Sequence, residues 1–316
     1  MNEQAALIIG DWGNSNARLW LCRSDGVVVA TRRGPGIASL RSNTAAIGAA
    51  FANMTAGWPT MIPALLAGVV GASFGWRDAG YLPCPITLKD IGGHLVRAPT
   101  NERAVWITPG ISCINAWGEP DTMRGEELQI TGWATASGVD DALVVLPGTH
   151  CKWAQIAGGM VTQFHSSISG ELFALLCDHS VMIDRAACDA PHDPSAFAEG
   201  VALARTASDV DLGALLFAAR ARQATGAMTA ARAPSFLSGI VIGCDVRNAL
   251  RHHDPSGPVI VIGEDGIGQR YIDALGHWTL SAQRVASDDA MRAGLLAVAR
   301  RAGLESRATA PYRNGA

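Results

Sequence analysis

The 316-residue chain is 48% hydrophobic and 17% charged, enough apolar material for two domains with separate cores. A net charge of −3 without a basic cluster excludes the electrostatic footprint of a nucleic-acid binder, and no apolar run approaches the ~18 residues of a membrane span. The seven cysteines are odd in number and share no Cys-x-x-Cys spacing, so they read as reduced thiols of a cytoplasmic protein rather than a zinc site or disulfide framework.

Leu7 to Ile9 reads as a short strand, Asp11 to Asn16 as a turn, and Arg18 to Cys22 as a second strand. Acidic Glu3 directly before this strand argues against a signal peptide. Ser24-Asp25-Gly26 turns the chain into Val27 to Thr31, which predicts three antiparallel strands in succession. A small-residue helix is expected over Thr44 to Met54, and a buried strand over Pro63 to Val70. Val105 to Ile107 is a further strand, and Arg124 to Ala136 is helical. A second meander follows, from Leu143 to Leu146, through Pro147-Gly148-Thr149 into Lys152 to Ile156, and then Val161 to Phe164. Glu171 to Leu176, Ala196 to Arg222 and Ala233 to Arg251 read as helical, with Gly239 and Gly243 weakening the last. Val259 to Ile262 is an apolar strand, followed by a helix from about Gln269 to Leu275. A last helix runs from Asp288 to Arg301, with Asp288 or Asp289 as its N-cap. The domain boundary is placed near Gly138, giving residues 1–138, 139–304 and a tail of 305–316, with the last helix able to return to the first domain.

Three glycine-bearing turns follow apolar strands, and each presents backbone N–H groups of the kind that cradle phosphate oxygens. In the first, Asp11 emerges beside Gly13-Asn14-Ser15-Asn16, which suits a magnesium ion held largely through water; an Asx-turn closing a hairpin is the plainer alternative. Arg18 is either a substrate contact or a surface strand residue. In the second, Gly148, Thr149, His150 and Lys152 offer amide, hydroxyl, imidazole and ammonium groups to phosphates, although for His150 alone an ordinary hydrogen-bonded histidine is the favoured reading. The third is Gly263 to Gly266. A P-loop, a dinucleotide Gly-x-Gly-x-x-Gly order and His-Glu-x-x-His are all absent.

In order along the chain these motifs resemble the first phosphate, second phosphate and adenosine motifs of the actin/hexokinase/heat-shock-ATPase superfamily. Helices Glu126 to Ala136 and Asp288 to Ala302 then stand as its two connecting helices, with Gly132, Ala134, Ala293 and Gly294 at crossing positions. Within it the chain most closely resembles the 2-dehydro-3-deoxygalactonate kinases. The resemblance rests on Asp11 to Gly13, Gly68 to Ser73 with Gly75-Trp76, Tyr81 to Pro85, Met123 to Glu127, Leu146 to Trp153, Ser169 to Leu172 and Phe236 to Gly239.

This resemblance implies an α/β, two-domain actin-like ATPase (ribonuclease H-like) fold with ATP and Mg²⁺ in the cleft between the domains, and domain closure to exclude water. It implies transfer of the γ-phosphoryl group to the 6-hydroxyl of 2-dehydro-3-deoxy-D-galactonate. Asp11 would hold the metal, Gly13 to Asn16 and Gly148 to Lys152 the phosphates, and Gly263 and Gly266 the adenosine. Ser73, Trp76 and Glu171 are expected near the substrate, as are Arg18 and Arg124, with Arg77 a further arginine able to meet its carboxylate. The hydroxyl needs a base, for which Glu126 is the first choice, Glu127 the reserve and Asp121 the third; either glutamate could instead simply complement a helix N-terminus. A kinase of an anhydro-amino sugar and a non-catalytic nucleotide switch are the rival readings. The expected partner is a small sugar acid, with no nucleic acid or membrane, and homodimerisation is left open.

Overall fold

The computed structural model describes residues 5–40, 43–207, 211–255 and 257–305. The tail from Ser306 lies outside them. In chain order the elements are strands β1 (Ala5–Trp12), β2 (Asn16–Arg23) and β3 (Val28–Pro35), helix α1 (Thr44–Met54), β4 (Ala64–Ala67), β5 (Tyr81–Pro83), β6 (Ile86–Thr87), β7 (Val96–Arg97), β8 (Val105–Ile107), β9 (Gly110–Ile114), β10 (Pro120–Met123) and α2 (Glu126–Ser137). Then come β11 (Ala142–Leu146), β12 (Cys151–Ala157), β13 (Met160–Ser167), α3 (Ser169–His179), α4 (Pro194–Thr206), α5 (Leu212–Ala224), α6 (Ala233–His252), β14 (Val259–Ile262), α7 (Asp265–Gly276), β15 (Ala282–Val285) and α8 (Ser287–Arg301).

The chain divides into two compact units. The first takes residues up to Asp140, Gly158–Gln163 and the chain from Ser287; the second takes Asp141–Ala157 and Phe164–Ala286. In the first unit the sheet runs β3-β2-β1-β4-β8-β7. Here β1 pairs antiparallel with β2, which sets Asp11 opposite Arg18, and parallel with β4, which sets Asp11 opposite Ala67. One face of this sheet packs on α1 through Ile8, Leu19, Ile47 and Phe51, and the other on α2 and α8 through Leu7, Ile9, Leu128 and Leu295. The second unit repeats the order as β13-β12-β11-β14-β15, with β11, β14 and β15 parallel. Its core is Val145, Trp153, Phe197, Val246, Val261 and Tyr271. Three antiparallel strands followed by parallel ones, with helices on the faces, is therefore the plan of each unit, and the chain is α/β as expected.

Close helix crossings explain four of the glycines. A Cβ on Gly132 of α2 would lie 1.9 Å from the Ala290 carbonyl of α8, and one on Gly294 of α8 would lie 1.9 Å from the Leu128 carbonyl. On α6, a Cβ on Gly239 would stand 2.1 Å from the Phe197 carbonyl of α4, with Gly243 facing Val201 of the same helix. Gly239 and Gly243, which weakened the helical reading, thus sit inside an unbroken 20-residue helix because α4 packs directly on its backbone.

Four expectations need correction. The strand over Pro63 to Val70 stops at Ala67, where Gly68 turns the backbone to φ +90° and a 3₁₀ turn, Val69–Gly71, follows. The helical stretch Ala196 to Arg222 is two helices, because α4 ends at Thr206 and Asp211 caps α5 by accepting from the Gly213 amide. Helix α7 begins at Asp265, so Gly266 lies in its first turn and not in a loop. Helix α8 begins at Ser287, so Asp288 and Asp289 occupy its first turn instead of capping it. Among the described residues, no helix is long and apolar enough to cross a membrane.

Candidate active site

In the first unit, the end of β1, the end of β4 and the start of α2 converge. A Cβ on Gly68 would stand 3.2 Å from Asp11 Oδ1, and one on Gly125 would stand 3.6 Å from the Gly68 Cα. Gly125 precedes α2 at φ +108°, a conformation closed to ordinary side chains. The turn after Asp11 is fixed from beneath. Trp12 Nε1 donates to the Pro35 carbonyl at 2.9 Å, and the Ile37 and Ala38 amides donate to the Gly13 and Asn14 carbonyls at 3.0 and 3.1 Å. Asn14, Ser15 and Asn16 stay exposed at its tip.

Asp11 stands 4.0 Å from Arg18 Nη2, and Arg18 Nη1 donates to Asp288 of α8. Burial pushes the Asp11 carboxyl up to about 6; Arg18 opposes this, and the charges of Glu126 and Asp288 add to it. Asp288 was read from sequence only as a helix cap. The acidic pair at the start of α8 was the available signal, but nothing local distinguishes a cap from a partner of Arg18.

The two glutamates at the start of α2 are in different surroundings. Glu126 is half-buried and its Oε2 accepts from the Arg124 amide at 3.0 Å. Glu127 is wholly enclosed and its Oε2 accepts from the Gly125 amide at 2.7 Å. Burial, then the neighbouring Glu126 charge, pushes the Glu127 carboxyl up to about 8. Arg124 donates from Nη2 to the Gly80 carbonyl at 2.9 Å, and its guanidinium lies 4.2 Å over the Tyr81 ring. Ser73 and Arg77 are exposed, whereas Trp76 is buried against Phe51 and edge-on to Trp12, as part of the core. Asp121 lies on β10 in the separate sheet β10-β9-β5, where its Oδ1 accepts from the Thr122 amide at 2.8 Å.

In the second unit, Gly148, Thr149 and His150 form an exposed turn between β11 and β12. Its far side is held by α3: the Glu171 amide donates to the Thr149 carbonyl at 2.9 Å, and His150 Nε2 pairs with Glu171 Oε2 at 2.9 Å. Glu171, expected near the substrate, thus packs against the Gly148–His150 turn. Lys152 is buried on β12 with Nζ at 2.5 Å from Ser166 Oγ. The Gly263 amide donates to the Val285 carbonyl at 3.0 Å, and a Cβ at Gly266 would meet nothing within 4 Å.

Among the described residues, no three His, Cys, Asp or Glu side chains form a metal cage. A single carboxylate at Asp11 beside the exposed turn Asn14 to Asn16 fits a hard divalent cation that keeps its waters and shares phosphate oxygens, as Mg²⁺ does. A cavity of about 570 Å³ between β3 and α1, lined by Arg32, Arg33, Leu40, Asn53 and Met54, contains none of these site residues.

The sequence pattern of the 2-keto-3-deoxy-galactonokinase family matches residues 11–298, from the end of β1 into α8. A Rhizobium meliloti (strain 1021) protein named probable 2-dehydro-3-deoxygalactonokinase is 35% identical over 92% of this chain and 95% of its own. The Escherichia coli (strain K12) 2-dehydro-3-deoxygalactonokinase is 31% identical over 93% and 98%. A solved Sinorhizobium meliloti structure carrying the same kinase name superposes with a TM-score of 0.84 at 34% identity, covering 93% of this chain and 98% of that one. The repeated sheets are those of the actin-like ATPase fold, and the chain belongs to the 2-keto-3-deoxy-galactonokinase family.

Proposed function

We propose that this protein transfers the γ-phosphoryl group of ATP to the 6-hydroxyl of 2-dehydro-3-deoxy-D-galactonate, giving the 6-phosphate and ADP in galactonate catabolism. The observation that carries the reading is the family match across residues 11–298, which takes in both phosphate turns and the start of α2.

The residues divide by chemistry. Asp11 would hold Mg²⁺ through water, and the bound cation would neutralise charge on the phosphates. The turn Gly13 to Asn16, whose Gly13 amide closes on the Asn16 carbonyl at 3.0 Å, and the turn Gly148 to His150 would receive phosphate oxygens, with Lys152 supplying positive charge and Gly263 and Gly266 the backbone beside adenosine. Glu126 is the base we favour, because it is half-buried at the head of α2 whereas Glu127 is enclosed and held largely neutral. Glu126 would take the hydroxyl proton as the new O–P bond forms and the bond to the ADP oxygen breaks. We favour Arg124 for the substrate carboxylate, because its Nη1 and Nε have no hydrogen-bond partner while Nη2 holds the Gly80 carbonyl, whereas Arg18 is engaged by Asp288. No disulfide joins the seven cysteines, which suits a reducing compartment, and we place the protein in the cytoplasm.

A coupled ADP-release assay over sugar acids, neutral sugars and amino sugars tests the reading. Turnover confined to sugar acids, highest with 2-dehydro-3-deoxygalactonate, is expected. Turnover on amino or neutral sugars alone overturns it.

A further inference from the structure

The family motif Ser169 to Leu172 opens α3, and the chemistry above leaves Ser169 without a role. Ser169 is 6% exposed and lies within a buried polar cluster contributed by three helices. Its hydroxyl donates to Asp245 Oδ2 of α6 at 3.2 Å and stands 3.1 Å from the Tyr271 hydroxyl of α7. Tyr271 donates to the same Asp245 oxygen at 2.5 Å. Burying a carboxylate at this depth is costly unless several donors converge on it.

The cluster reaches the second phosphate turn in a single residue. A Cβ on Gly170 would stand 2.1 Å from the Gly148 carbonyl, so α3 begins in direct backbone contact with that turn. One residue on, the Glu171 amide donates to the Thr149 carbonyl. Gly148, Ser169 and Tyr271 also line one narrow slot of about 40 Å³. A shift of Ser169 by a few tenths of an ångström therefore moves the turn itself, because no side chain lies between them to absorb it.

We propose that Asp245 is a positioning residue that, through Ser169, pins the first turn of α3 against the Gly148–Thr149 turn and so sets affinity for the nucleotide phosphates. The inference rests on the kinase reading above for what the turn binds. Asp245 touches no substrate; it acts through Ser169 and Gly170.

The test compares the full chain with Asp245→Asn, Ser169→Ala and the double variant. It measures Kd for Mg²⁺-ADP by titration calorimetry and KM for ATP and for the sugar acid separately. Each single variant should weaken Mg²⁺-ADP binding and raise KM for ATP by about tenfold, the scale of one charge-assisted hydrogen bond. KM for the sugar acid should stay within twofold, and the double variant should lose no more than the larger single loss. A purely structural role would lower Tm and leave the ratio of the two KM values unchanged, which overturns the proposal. So does a fully additive double variant. Should Asp245→Asn fail to fold, Ser169→Ala carries the same comparison, since it leaves the Asp245–Tyr271 bond in place. If the unaltered protein binds Mg²⁺-ADP but phosphorylates no sugar acid, the kinase reading fails while the Kd comparison still decides the role of Asp245.

Discussion

Arg18 of β2 donates to Asp288 in the first turn of α8, joining positions 270 apart in sequence, while the same guanidinium stands 4.0 Å from Asp11. Asp11 therefore shares its nearest counter-charge with a second carboxylate. Asp288→Asn removes a negative charge that holds Asp11 up and frees Arg18 to approach it, and both changes favour the ionised form of Asp11. The acid limb of kcat/KM against pH, expected near pH 6 in the unaltered enzyme, should move to lower pH in this variant. A limb that stays put or rises shows that Asp288 does not act on Asp11.

Asp11→Asn should lower kcat by at least ~10²-fold through lost metal positioning. The fold should gain. The Asp11 carboxyl is raised from 3.8 to about 6 in the native state, so ionised Asp11 costs stability. That cost is absent below pH 4, grows as pH rises toward 6 and is constant above. Melting curves at pH 4 and pH 8 should show the variant's advantage only at the higher pH.

Glu126→Gln and Glu127→Gln separate chemistry from packing. If Glu126 is the base, its variant loses ~10²–10⁴-fold in kcat with nucleotide binding intact. Glu127 is enclosed and rises from 4.5 to about 8, so glutamine resembles its native neutral form. Its variant should be more stable than the parent, by an amount growing between pH 4.5 and 8, because the unfolded chain ionises Glu127 before the folded one does. A large kcat loss in Glu127→Gln with none in Glu126→Gln reverses the assignment.

The neutral analogue of the sugar acid should be a poor substrate, by one to two orders of magnitude in kcat/KM, the size of a lost charge-assisted pair of roughly 1.5–3 kcal/mol. Arg124→Lys should reproduce most of that loss on the acid and little on the neutral analogue. It removes the planar group that stacks on Tyr81 while keeping the charge. Equal efficiency on both substrates would falsify a carboxylate contact.

Gly132→Ala should destabilise the first unit by roughly 1–3 kcal/mol in denaturant titrations, since α8 must retreat from a methyl group set 1.9 Å from the Ala290 carbonyl. An unchanged midpoint indicates that the crossing is loose.

Local pattern carried much of the architecture. The turn-bounded strands β1 and β2, the small-residue helix α1 and the apolar runs of β11 and β14 were legible because short apolar runs between turn signals mark buried strands, and helix length separates α1 from them. Other local signals had two meanings. Gly239 and Gly243 weaken a free helix but admit a neighbouring backbone, and an acidic pair at a helix start is equally a cap or a counter-ion.

The sequence by itself determined the α/β class and the family, because both reside in contiguous residues whose chemistry is visible in a few letters. Only the tertiary structure decided that Glu127 is enclosed and Glu126 is not, that Asp288 meets Arg18, and that Asp245 meets Ser169 across 76 residues. Such pairings depend on which helix faces which strand end once the core has packed, and no window of sequence short enough to show a period contains both partners.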